Sequence, residues 1–129
     1  MAAVTIPIKR QDYNSGGTAQ YNGWEPNTIS GALTGQAITS SDTITIPADF
    51  KDHKTVFVIV NADDAAKTVT FKAGNSGMAC NDLEVSAAVG TSFIWLDSAR
   101  FVDKTTGLIT VTTNESTANK VSMFGYEMR

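Results

Sequence analysis

The chain has 129 residues, 42% of them hydrophobic and 18% charged, with a formal net charge of −3 and a pI near 4.9. A domain of that size buries roughly two-thirds of the surface its unfolded chain exposes, enough for a core without disulfides or metals. Basic residues are scattered apart from Lys9-Arg10, which excludes an electrostatic footprint for nucleic acid or anionic lipid, and the single Cys80 excludes an intrachain disulfide.

The start, MAAVTIPIKR, lacks the basic-then-apolar pattern of a signal peptide. The longest aliphatic or aromatic run, VFVIV, falls far short of the ~20 residues a membrane helix requires. A soluble protein made in the cytoplasm is expected, with Cys80 as a small, partly buried packing residue.

In chain order, VTIPIK is extended, and Pro7 bars it from the centre of a sheet. The following QDYNSGGTAQYNGWEPN is rich in Gly, Asn and Gln and resists independent folding. Residues 1–28 therefore read as an extended N-terminal arm. Val4, Ile6 and Ile8 are its candidate strand for addition to a partner's sheet edge, and Tyr13, Tyr21 and Trp24 its candidate aromatic anchors.

Residues 29–129 read as one β-sandwich domain. Helical periodicity is nowhere sustained; short segments alternate with turn residues at intervals of about 8–12. In SDTITIP, Ile44 and Ile46 share one face and Thr43 and Thr45 the other. Segment VFVIV, residues 56–60, is apolar on both faces and suits the middle of a sheet covered on both sides. In KTVTFKAGN, Val69 and Phe71 point inward, and the Gly-Asn-Ser-Gly run ends the strand. DLEVS places Leu83 and Val85 inward before a turn at Gly90.

SFIWLDS is again apolar on both faces, with Phe93 and Trp95 opposite Ile94 and Leu96. After ARFVD and the turn KTTG, LITVTT places Ile109 and Val111 inward. The last segment, NKVSMFGYEMR, is aromatic and extended, with Gly125 predicted to form a bulge. About eight strands result. The expected fold is all-β, an antiparallel sandwich of jelly-roll type, with an immunoglobulin-like sandwich as the alternative.

Residues that carry chemistry are sparse. His53, the only histidine, has Asp49 and Asp52 close in sequence but no nucleophile, and Ser98 lacks a G-x-S-x-G elbow and a following helix. One His and one Cys do not supply a zinc site. Asn114-Glu115-Ser116 is a glycosylation sequon that matters only in a secreted protein. The adjacent Asp63 and Asp64 in NADDAAK offer oxygens for calcium, yet the residue types equally suit the polar tip of a hairpin, where Asn and Asp side chains bond to the local backbone. The expectation is no enzyme, no cofactor and no catalytic residue, with Asp63 and Asp64 as weak calcium candidates.

Taken together, VFVIVNADDAAKTVTFKAGN and NDLEVSAAVGTSFIWLDSARFVDKTTGLITVTT resemble capsid decoration (cement) proteins of tailed bacteriophages. The resemblance rests on a strand ending in Asn61, the Val69 to Gly74 strand, Asp82 to Val85, Gly90, Ser98 to Phe101, and Gly107 to Thr113. It covers under half the chain. It implies a non-enzymatic virion protein on the outer surface of the head, bridging capsomers of the major capsid protein, often as a homotrimer. A carbohydrate- or cell-surface-binding sandwich of fibre or adhesin type is the alternative, with the arm aromatics stacking on sugars. Neither nucleic acid nor membrane is an expected partner.

Overall fold

Strands with one apolar face must bury it, and two sheets doing so together make a sandwich. The computed structural model describes residues 2–10 and 35–128. Its strands are β1 (Ala3–Thr5), β2 (Ile8–Arg10), β3 (Gln36–Ile38), β4 (Thr43–Pro47), β5 (Thr55–Asn61), β6 (Lys67–Phe71), β7 (Leu83–Ala87), β8 (Gly90–Ile94), β9 (Val102–Asp103), β10 (Leu108–Thr113) and β11 (Val121–Glu127). A 3-10 turn, Asp52–Lys54, and a one-turn helix, α1 (Ser98–Phe101), interrupt them. The strands outnumber the eight expected because several are only two or three residues long.

The first sheet runs β1-β4-β10-β6-β7, with β9 also on β10; the second runs β2-β11-β5-β8, with β3 also on β11. The fold is thus an all-β sandwich, and neither sheet closes into a barrel. Apart from β2–β3, β6–β7 and β9–β10, consecutive strands lie in different sheets. This holds for β5 and β6, so NADDAAK is not the tip of a hairpin. It is an arch that carries the chain from the second sheet to the first.

Between the sheets lie Ile38, Ile44, Ile46, Phe57, Ile59, Val69, Phe71, Ile109, Val111, Val121 and Met123, all buried. Each such side chain stabilises the fold by about 1.5–3 kcal/mol through burial. Phe50 and Phe57 meet edge to face, with ring centroids 5.1 Å apart. The alternations read at Ile44/Ile46, Val69/Phe71 and Ile109/Val111 match this inner face.

Residues 2–10 depart from the expected free arm. β1 pairs in parallel with β4, and β2 in parallel with β11. Pro7 sits at the crossing between sheets, its carbonyl accepting the Gly125 N–H at 2.8 Å, while the Ile6 N–H donates to the Thr45 carbonyl at 2.9 Å. Ile6 is 0% exposed, and Val4 and Ile8 pack against the core. Val4, Ile6 and Ile8 of the candidate partner-binding strand thus take part in the chain's own sheets, with β1 and β2 each at a sheet edge. The predicted boundary at residue 28 lies outside the described residues.

Gly125 makes no bulge. β11 pairs with β5 without interruption from Val121↔Asn61 to Glu127↔Thr55. Glycine is required instead by close approach, since a Cβ there would lie 2.9 Å from the Phe57 ring and 3.2 Å from Ile8.

Candidate interaction surface

Because β5 sends Phe57 and Ile59 inward, it sends Val56, Val58 and Val60 to the opposite face. The register continues that outer face across the sheet: Phe93 of β8 lies beside Val58, as does Phe124 of β11, while Tyr126 lies beside Val56 and Thr91 beside Val60. These residues line an open groove of about 440 Å³. Val58 and Phe124 are each 7% exposed, whereas Phe93 is 62% exposed and Trp95, two residues further on, 65%.

The sequence reads β5 as covered on both sides; its inner face lies in the core, and on its outer face Val58 is buried and Val56 and Val60 are half-buried. Among the described residues no second layer packs on this face. A contiguous apolar, aromatic surface on a rigid sheet is the feature expected of a protein docking site. Alternation marked two apolar faces on SFIWLDS but carried no signal for which one is buried. Leu96 is buried and Ile94 half-buried, leaving Phe93 and Trp95 to solvent.

The Asp63-Asp64 arch is organised from Asn61, which is buried. Its Nδ2 donates to the carbonyls of Ala65 and Ala87, each at 2.9 Å, and its Oδ1 accepts the Asp63 N–H at 2.9 Å. Asp63 Oδ1 accepts the Asp64 N–H at 2.8 Å, and Lys67 Nζ lies 3.6 Å from Asp63 Oδ2 and 3.8 Å from Glu115 Oε2. The neighbouring Glu115 side chain, then the Asp64 N–H, then Lys67 bring the Asp63 pKa down to about 2.

Glu115, 1% exposed, also accepts the Thr117 N–H at 3.1 Å through Oε2. Its position in a polar turn gave no hint of burial, because the contact with Asp63 joins residues 63 and 115. Asp64 is exposed and brings no further ligand. Among the described residues, no three His, Cys, Asp or Glu side chains converge on a point.

The remaining candidates scatter. His53 is exposed; Asp52 turns away from it to accept the Ser98 N–H at 3.1 Å, and Asp49 pairs with Arg10 at 2.9 Å. Contrary to the sequence reading, Ser98 does begin a helix, although of one turn only. Arg100 Nε pairs with Asp97 Oδ2 at 3.0 Å, and Cys80 and Asp97 together raise the Arg100 pKa. Cys80 is exposed rather than partly buried. Asn114 Oδ1 accepts the Thr68 N–H at 2.9 Å. Tyr13, Tyr21 and Trp24 lie outside the described residues. Among those described, no helix is long and apolar enough to cross a membrane.

No family model matches the chain, and neither a curated protein nor a solved structure matches it.

Proposed function

We propose that this protein is a non-enzymatic decoration protein of a tailed-phage head, attached to the outer capsid surface through the exposed face of its second sheet. The observation that carries the reading is the apolar patch of Val56, Val58, Phe124 and Tyr126, flanked by the exposed rings of Phe93 and Trp95. Aromatic side chains on a rigid scaffold supply large contact areas at a small entropic cost. Many copies on a symmetric shell multiply modest individual contacts. The sequence resemblance supports the same reading. The major capsid protein is the proposed partner.

Purified protein added to heads that lack it is expected to bind and to raise their resistance to heat or chelator. Trp95→Ala is expected to weaken binding while the isolated protein remains folded. Heads that neither bind the wild-type protein nor gain resistance refute the reading.

A second reading, glycan or cell-surface binding, is favoured by the exposure of Trp95, whose ring suits stacking on a sugar. A glycan array probed with wild type and Trp95→Ala separates the two. Glycan binding that depends on Trp95 favours this second reading.

A further inference from the structure

β8 forms one edge of the second sheet, paired on one side with β5 from Phe57↔Ile94 to Asn61↔Gly90 and with no strand on its other side among the described residues. An open edge presents unpaired N–H and C=O groups, and proteins blunt such edges with charge, proline or short length. The other edges follow that rule. β7, also of five residues, carries the exposed Glu84. β1 has three residues and runs into Pro7, and β2 has three and carries Lys9 and Arg10. β3 and β9 have only three and two. From Gly90 to Leu96 the chain reads GTSFIWL, with no charge and no proline.

We infer that β8 pairs with the β8 of a second copy, antiparallel about a two-fold axis, joining the two second sheets into one. A two-fold contact requires a surface compatible with itself, since residues near the axis meet their own kind. Like charges placed opposite each other destabilise strand pairs. β8 has none, so nothing in it opposes self-pairing. Antiparallel pairing satisfies both free edges in one step and closes the assembly at two copies. It also sets the two outer faces side by side, with Phe93 of each copy next to the junction and the two Val58–Phe124 grooves continuous across it. A three-fold ring, by contrast, needs two different complementary patches rather than one edge used twice.

The inference is independent of the proposed attachment to a phage head. It is tested on the full chain by sedimentation over a broad concentration range, combined with amide hydrogen exchange. A reversible dimer is expected, with exchange of alternate amides in Gly90–Ile94 slowing as dimer forms. Phe93→Lys places two cations beside the axis at a site that is 62% exposed in the single chain. It should keep the wild-type circular dichroism and weaken the dimer by at least about tenfold. Mixing Phe93→Lys with Phe93→Glu should restore a mixed dimer. A protein that stays monomeric throughout overturns the inference. So does β8 protection that is independent of concentration, or an oligomer of any size that persists unchanged in Phe93→Lys.

Discussion

Arg10 and Glu127, 117 positions apart in the chain, are joined by a hydrogen bond of 3.0 Å from the Arg10 Nε to the Glu127 Oε1. The pair closes the parallel ladder of β2 and β11 at its last rung, Glu127↔Arg10. Arg10 Nη2 also reaches Asp49 Oδ1 at 2.9 Å, while Glu127 Oε2 accepts the Lys51 N–H at 2.7 Å. One carboxylate thus ties the N-terminal segment and the β4–β5 connection to the final strand.

The two partners are unequal, because the Arg10 side chain is half exposed and that of Glu127 is mostly buried. Arg10→Ala is expected to cost less than about 1 kcal/mol, as for other solvated ion pairs. Glu127→Ala leaves the Lys51 N–H without its acceptor and should cost about 1–3 kcal/mol. Urea denaturation of the two variants checks the ranking, which a simple surface salt bridge would not produce.

Ile6→Ala tests whether residues 2–10 belong to the sandwich. Removing a fully buried aliphatic side chain costs about 2–5 kcal/mol, whereas truncation in a free arm costs almost nothing. The expected result is the large loss, read as a lower denaturation midpoint with an unchanged slope.

At Gly74 an added Cβ would meet the backbone of residues 101 and 102, with the Phe101 carbonyl carbon only 2.7 Å away. Backbone cannot swing aside as a side-chain tip does, so Gly74→Ala should destabilise by about 1–3 kcal/mol. Gly77→Ala, where the added atom meets nothing within 4 Å, is the matched control and should change stability little.

Acid should weaken the fold through its surface carboxylates. Asp63 is lowered to about 2; Asp82 is lowered by the Ala73 N–H and then Lys72, and Asp103 by the Thr105 N–H and then Asn75. A carboxyl with a depressed folded pKa binds fewer protons folded than unfolded. Its stabilisation is therefore complete above the unfolded value of 3.8 and is lost as pH falls towards 2. Thermal melts from pH 5 to pH 2 should show this decline, and Asp63→Asn should flatten part of it.

Much of the strand content was legible in the sequence. Ile44 and Ile46, Val69 and Phe71, and Ile109 and Val111 announce their inner face by alternation, since side-chain direction along a strand is a local property of the backbone. The lack of sustained helical periodicity likewise points to an all-β fold. What the tertiary structure decided were relations between distant residues. It assigned β5 and β6 to different sheets, turning NADDAAK from a hairpin tip into an arch anchored by Asn61. It drew Ile6 into the core from a segment whose composition suggested a free arm, because β4 and β11 offer edges there. It buried Glu115 against Asp63. It also left Phe93 and Trp95 in solvent while Leu96 went inward, a choice open to a strand apolar on both faces until its partner β5 places one face against the core.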